Sequence, residues 1–270
     1  MAREPNLAGR VAVVTGAGRG VGRAISLALA ARGARVALVA RDAAQLEQTR
    51  RLIALAGGEA HVFSVDVTSQ IDVLDRLGPA VDKALGSPQI LVNAAGMYGP
   101  VALLKDGDPA EWVRTLMVNT AGPYLCSRAF VGGMVASGWG RVINVTSAAA
   151  EHPPGPLTSA YVTSKVALNA LTRGLAAEVA GTGVTANMFH PGEVKTEMWR
   201  HIKNGAEAIG PAGTGLSAWA GWVERTGGDL PEKSADLALY LVGDAAAEVN
   251  GQFLWIEGGL QSPKGLPRVE

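Results

Sequence analysis

Tyr161 and Lys165, the ends of Tyr161-Val162-Thr163-Ser164-Lys165, share one face of a helix about one turn apart. A free phenol and a free ammonium both titrate near pH ~10. An ammonium held beside a phenol favours the phenolate and pulls the phenol pKa down towards working pH. Tyr161 then becomes a proton donor or acceptor for a carbonyl or alcohol oxygen. Ser147 closes the apolar run Val142-Ile143-Asn144-Val145. That places it at a strand terminus, where its hydroxyl can polarise the same oxygen. Tyr-x-x-x-Lys by itself is a common accident of helical sequence. Its meaning depends on what the chain builds around it.

At 270 residues, 48% of them hydrophobic and 18% charged, the chain has the length and composition of one globular domain with a large core. Its 24 basic and 24 acidic residues give a net charge of +0, and no basic block stands out. This argues against nucleic acid or an anionic membrane surface as partner. The single Cys126 excludes an intramolecular disulfide framework and a cysteine metal cluster. His61, His152, His190 and His201 have no metal-ligand spacing, so no metal is expected. No apolar run approaches the ~18 residues of a membrane span, and Met1-Ala2-Arg3-Glu4-Pro5 starts no signal peptide. The expectation is a soluble, cytoplasmic protein.

The elements that would position the chemistry alternate. Val11–Thr15 reads as a buried strand, followed by Gly16-Ala17-Gly18-Arg19-Gly20-Val21-Gly22 and a helix over Arg23–Arg32. Strand, glycine turn and helix N-terminus together make a phosphate cradle, with Gly16, Arg19, Gly20 and Val21 as its candidate contacts. A second strand over Arg35–Ala40 precedes Arg41, Asp42 and a helix over Ala43–Leu55. In dinucleotide folds an acid at the end of the second strand holds the ribose 2′-OH, whereas an arginine accommodates a 2′-phosphate. Arg41 and Arg19 favour the phosphate. Asp42 becomes the ribose ligand if the strand ends one residue later. A third strand is read at His61–Val65 with Asp66-Val67-Thr68 at its end, a helix over 69–85, and a fourth strand at Ile90–Val92. The small residues of Asn93-Ala94-Ala95-Gly96 would let a flat cofactor lie against the backbone. A long helix over 109–137 holds Asn119 in its middle, where an asparagine is either solvent-facing or bonded to something. Strand five is Val142–Val145, the Tyr161 helix runs 159–180, and strand six is Val184–Phe189. Pro191-Gly192 breaks the chain, a Gly- and Trp-rich insertion fills 193–230, and a helix at Pro231–Val242 leads to a last strand at Gln252–Ile256. The alternation argues for βαβ units in one parallel sheet covered on both faces. With no repeat and no linker, residues 1–270 form one domain, with a loose tail over 262–270.

Taken together these motifs resemble the short-chain dehydrogenase/reductase superfamily from about Leu7 to Gln261. They are Thr15-Gly16-x-x-x-Gly20-x-Gly22, Asp66, Asn93-Ala94-Ala95-Gly96, Asn119, Ser147, Tyr161-x-x-x-Lys165 and Pro191-Gly192. The resemblance implies a single-domain, doubly wound Rossmann fold with a seven-stranded parallel sheet in the order 3-2-1-4-5-6-7. It implies hydride transfer between a nicotinamide and a ketone or secondary alcohol, with Tyr161 as acid/base and Ser147 donating to the substrate oxygen. Lys165 would bind the nicotinamide ribose and lower the tyrosine pKa, and Asn119 would hold a water linking Lys165 to solvent. Asp66 and Val67 would flank the adenine, and Val194-Lys195-Thr196 would bring Thr196 to the nicotinamide amide. Two departures stand out: Ala94 where the family commonly has a second asparagine, and the longer stretch Ala150-Glu151-His152-Pro153-Pro154-Gly155 after the serine. The latter reshapes the substrate pocket.

The leading expectation is an NADP(H)-dependent carbonyl reductase or alcohol dehydrogenase, with NAD(H) as the alternative cofactor. A non-catalytic dinucleotide sensor would tolerate loss of the tyrosine or lysine, and this chain keeps both. A nucleotide-sugar epimerase would need a larger domain after the sheet. The helices over 109–137 and 159–180 are more apolar than one buried face requires, which points to a symmetric homo-oligomer, a tetramer. Trp199, Trp219 and Trp222, among the glycines of 193–230, would form a mobile lid whose apolar face selects bulky ketones.

Overall fold

A computed structural model describes residues 5–260; the tail expected over 262–270 lies outside them. Seven strands form one sheet: β1 (Val11–Thr15), β2 (Arg35–Ala40), β3 (Glu59–Ser64), β4 (Ile90–Asn93), β5 (Gly140–Val145), β6 (Val184–His190) and β7 (Phe253–Trp255). Their order is β3-β2-β1-β4-β5-β6-β7 and every pairing is parallel. The helices are α1 (Gly20–Ala31), α2 (Ala43–Leu55), α3 (Gly78–Leu85), α4 (Pro109–Leu116), α5 (Gly122–Ala136), α6 (Ser159–Glu178), α7 (Glu197–Ile209), α8 (Thr214–Thr226) and α9 (Pro231–Val242).

The continuous apolar run of β1 is explained by burial on both sides. Ala12 and Val14 face a core shared with Ile25 and Leu29 of α1 and Leu239 and Val242 of α9. Val11 and Val13 face the opposite core, with Val81 of α3, Phe130 and Met134 of α5 and Ala176 of α6. Alternate residues of one strand thus hold two helical layers, each large side chain contributing roughly 1.5–3 kcal/mol by burial.

Several boundaries differ from the sequence reading. Two of the expected long helices are interrupted. Ile71–Leu77 is a π turn ahead of α3, and Met117–Ala121 is a π turn between α4 and α5. Proline follows each interruption, at Pro79 and Pro123, where its missing N–H removes a helical bond. Strand β3 starts two residues earlier than read, because Arg35 pairs with Glu59 across to β2. The insertion over 193–230 is a helical pair, α7 and α8, rather than a glycine-loosened loop. Gly205 and Gly213 serve close packing: a Cβ on Gly205 would lie 2.7 Å from Val101 Cβ, and one on Gly213 would overlap the Ala206 carbonyl.

Candidate active site

With all strands parallel, their carboxyl ends share one edge of the sheet. There Gly16 has φ +67°, and a Cβ on it would sit 2.7 Å from the Ala94 carbonyl oxygen, so only glycine fits. Thr15 Oγ1 accepts from the N–H groups of Ala94 and Ala95, each at 3.1 Å, tying the glycine turn to the end of β4. The N-terminus of α1 carries no side-chain cap and no acid in its first turn. Exposed backbone N–H groups, a dipole end and glycines that allow close approach suit a phosphate anion, so these residues fit the pyrophosphate of a dinucleotide. Val21 packs at the margin of the core behind the turn.

Beside this cradle, Arg41, Asp66, Thr68, Met97 and Arg114 line a shallow cleft. Burial works to raise the Asp66 carboxyl. Bonds from the Thr68 N–H and hydroxyl, at 3.0 and 2.8 Å, with Arg41 and Arg114 nearby, outweigh it and hold the group below the carboxylate range. Val67 is buried beneath Gly122. β2 ends at Ala40, and Asp42 caps α2, accepting from the Gln45 N–H at 3.0 Å. The Arg19 guanidinium is engaged by Glu197 of α7. Arg114, which no sequence motif singled out, lines the cleft with Arg41.

The catalytic candidates converge. Ser147 has extended backbone at the head of a short turn, where its Oγ accepts from the Ala149 N–H at 3.2 Å. Its hydroxyl stands close enough to the Tyr161 phenol to favour the ionised form of that group. Lys165, buried one turn further along α6, donates to the Val145 carbonyl at 2.8 Å and lies 5.8 Å from the Tyr161 ring centre. The expectation of a lowered tyrosine pKa is not met here. Burial pushes Tyr161 up to about 12, Ser147 pulls it back and Glu193 adds to the rise. Burial also pushes Lys165 down to about 8. Desolvation outweighs the lysine's charge at this separation.

Asn119 lies in the π turn, and its side chain is a clamp. Oδ1 accepts from the Met97 N–H at 2.9 Å, while Nδ2 donates to the Met97 carbonyl at 2.8 Å and to Ser164 Oγ at 2.9 Å. It thus joins the loop after β4 to the Tyr161 helix. Gly96 leaves the room: a Cβ there would be 3.4 Å from Asn119 Oδ1 and 3.8 Å from Lys165 Nζ. Asn93, read as a cofactor contact, is buried inside the sheet and donates to Asn144 Oδ1 at 2.8 Å. Its side chain joins β4 to β5.

After β6, Pro191 and Gly192 turn the chain with φ +83° at the glycine, and Val194 pairs with Asp229. Thr196 caps α7 through Oγ1, at 3.4 Å from the Trp199 N–H, and its methyl faces Gly20 of the phosphate turn. Of the three tryptophans, Trp199 is buried between the helices and donates to the Ala220 carbonyl at 3.2 Å. Trp222 packs against the same small core. Trp219 reaches back to the site, its Nε1 donating to Glu193 Oε2 at 3.1 Å. Trp199 therefore anchors α7 to α8 rather than offering a face to substrate.

Two features had no motif to announce them. Tyr98 stacks on Tyr161, ring centres 4.9 Å apart and planes 24° apart, with its hydroxyl 3.4 Å from the Leu157 carbonyl. Leu157 is the one non-glycine among the described residues with positive φ, +66°, a strained conformation for a branched side chain. Glu193 and His190 meet at the end of β6, Oε1 to Nε2 at 3.8 Å. Among the described residues no group of three or more His, Cys, Asp or Glu could hold a metal.

The sequence model described as short chain dehydrogenase matches residues 10–207. Galactitol 2-dehydrogenase (L-tagatose-forming) of Cereibacter sphaeroides is 36% identical over 257 residues, 94% of this chain and 95% of its own. Among solved structures, the F189W actinorhodin polyketide ketoreductase with NADPH superposes with a TM-score of 0.83 at 30% identity, covering 92% of this chain and 95% of its own. NAD+-bound xylitol dehydrogenase gives 0.82 at 26% identity, covering 94% and 99%.

Proposed function

The chain belongs to the short-chain dehydrogenase family, and on that premise we propose that it reduces a ketone, or oxidises the matching secondary alcohol, with NADP(H) as preferred cofactor. The observation that carries the reading is the convergence of Ser147 just after β5, Tyr161 on α6 and Lys165 one helical turn on, its ammonium fixed by the Val145 carbonyl, at the sheet edge that also holds the glycine cradle. NADP(H) rather than NAD(H) follows from Arg41 and Arg114 in the cleft and from Asp42 being committed to the cap of α2. Relatives with bound NADPH and bound NAD+ both exist, so the choice rests on these side chains.

The nicotinamide, when bound, supplies the hydride to the carbonyl carbon or takes it from the alcohol carbon. In reduction Ser147 and Tyr161 donate hydrogen bonds to the carbonyl oxygen, where negative charge develops. Tyr161, a protonated phenol at neutral pH, then gives up its proton to that oxygen and regains one from solvent. Lys165 stabilises the transient phenolate and is itself fixed by the Val145 carbonyl. Asn119 keeps the loop at Met97 and the Tyr161 helix in register. Gly16, Gly20 and Val21 would hold the pyrophosphate, with Asp66 and Val67 at the adenine and Pro191, Gly192, Val194 and Thr196 at the nicotinamide.

The α7–α8 pair is the lid of this site, moving as one unit about Gly192 and Gly227-Gly228. No helix among the described residues is long and apolar enough to cross a membrane, and the working compartment proposed is the cytoplasm. Val113, Met117 and Tyr124 on α4–α5 and Val166 on α6 remain exposed, which supports a homotetramer built on these helices. Tyr161→Phe tests the chemistry. Cofactor binding and thermal midpoint should be kept while ketone-dependent NADPH oxidation falls at least about a thousandfold, within the range of a lost acid/base group. A variant running at half the parent rate would overturn the assignment.

A further inference from the structure

The main chain that presents Ser147 is held by a side chain from the neighbouring strand. His190, the last residue of β6, is 7% exposed. Its Nδ1 accepts from the Ala148 N–H at 3.1 Å. A backbone amide can only donate, so Nδ1 is unprotonated and the ring proton sits on Nε2, which lies 3.8 Å from Glu193 Oε1. Trp255 of β7 packs against the ring, centres 5.3 Å and planes 71° apart. Burial pushes the imidazole down to about 4, so the ring stays neutral and Nδ1 stays an acceptor near neutral pH.

The geometry of the serine turn explains why an acceptor is needed there. Ser147 has extended backbone, and the chain turns at once into the single helical turn Ala148–Ala150. The first N–H groups of such a turn have no helical partner. Ser147 Oγ takes one of them, from Ala149 at 3.2 Å; His190 takes the other. Ala148 is buried, so without His190 its N–H would be left without an acceptor away from water. With its oxygen already accepting from Ala149, the Ser147 hydroxyl still has its one hydrogen to donate out of the turn. The far side of the same turn is tied to α6. Thr146 Oγ1 donates to Asn169 Oδ1 at 2.7 Å, and Asn169 Nδ2 donates to Glu151 Oε1 at 2.9 Å. We infer that His190 is a positioning residue for the reaction: its acceptor nitrogen fixes the Ser147–Ala148 peptide, and through it the direction in which Ser147 donates to the substrate oxygen. The inference rests on Ser147 holding the reacting oxygen, as proposed above. Because a misplacement of about 1 Å can cost on the order of a hundredfold in rate, loss of this one acceptor should fall on turnover rather than on cofactor binding.

The test compares His190→Asn with His190→Leu. Asparagine carries an oxygen where histidine carries Nδ1, whereas leucine has similar bulk and no acceptor. With 9,10-phenanthrenequinone as the ketone probe, His190→Leu should lower kcat about tenfold or more while the NADPH dissociation constant stays within about threefold. His190→Asn should keep kcat within about threefold of the parent. In a Ser147→Ala background His190→Leu should cost less than about threefold further, because groups acting as a unit are not additive. Hydrogen exchange of the peptide over 146–152 should quicken about tenfold in His190→Leu and stay parent-like in His190→Asn. Should the leucine variant not fold, His190→Ala takes its place in both backgrounds. Equal kcat in the asparagine and leucine variants overturns the inference, and so does a leucine loss repeated in full on Ser147→Ala; either result leaves hydride transfer standing. Exchange that responds as expected in a parent that oxidises no NADPH or NADH would instead sink the hydride-transfer reading and leave His190 as the support of the Ser147 turn.

Discussion

Replacing Arg41 by Asp reverses the charge at the end of β2 without touching Tyr161, Ser147 or Lys165. Arg41 faces the cleft with Asp66, Thr68 and Arg114, and Asp42, the acid next to it in sequence, bonds the Gln45 N–H. A hydrogen bond to a charged group is worth ~1.5–3 kcal/mol. At ~1.36 kcal/mol per tenfold, Arg41 alone should favour NADPH over NADH by roughly tenfold to a hundred and fifty. Arg41→Asp removes that bond and adds like-charge repulsion, so the NADPH/NADH ratio of kcat/KM should fall by about a hundredfold or more. Arg114→Ala should cost a smaller share. Arg19 offers an internal control. Its guanidinium is held by Glu197, so Glu197→Gln should free it and raise the ratio a few-fold. Initial rates with both cofactors at one ketone concentration decide the matter. A parent ratio below about three, or a ratio unmoved by Arg41→Asp, would show that the 2′-phosphate is not read here.

Three further outcomes are expected. Lys165 is held near 8 against 10.5 in the free side chain, so the folded state binds fewer protons than the unfolded one between those values. Its cost to stability is full below about pH 8 and is relieved as pH rises to 10.5. Lys165→Met should therefore abolish turnover yet raise Tm at pH 7 by a few degrees, a gain that shrinks by pH 10; calorimetry at the two pH values checks it. Tyr98→Ala should lower kcat about tenfold or more by freeing the Tyr161 ring, whereas Tyr98→Phe should stay within about threefold, because the stacking and not the 3.4 Å hydroxyl contact positions the ring. Sedimentation at micromolar concentration should give a tetramer, and Val166→Glu, on the exposed side of α6, should dissociate it; a parent monomer would remove the argument from exposed apolar residues.

How far the sequence reaches depends on whether a feature is local. β1, β2, α2 and α9 fell where period, flanking glycines and the proline at the start of α9 put them, because each of those signals acts within one turn or one pleat. Ser147, Tyr161 and Lys165 were legible for a related reason: one helical turn fixes two of them, and a strand end fixes the third. The contacts that the sequence does not show are tertiary. Asn93 sits among small residues at a strand end, and its side chain bonds Asn144 of the adjacent strand; no spacing in the sequence records which strand lies alongside. Arg19 was read by its neighbours in the glycine turn, while its partner Glu197 is 178 residues away. The tryptophans of α7 and α8 suggest the apolar face of a lid and the glycines between them suggest mobility, yet Gly205 and Gly213 sit where close packing leaves no room for a side chain. Glu193 combines both limits: its position after Pro191-Gly192 is visible in the sequence, but its partners His190 and Trp219 come from a strand and a separate helix. Groups that lie on one local spacing can be read before the fold is known, whereas groups carried by separate elements meet only when folding brings those elements together.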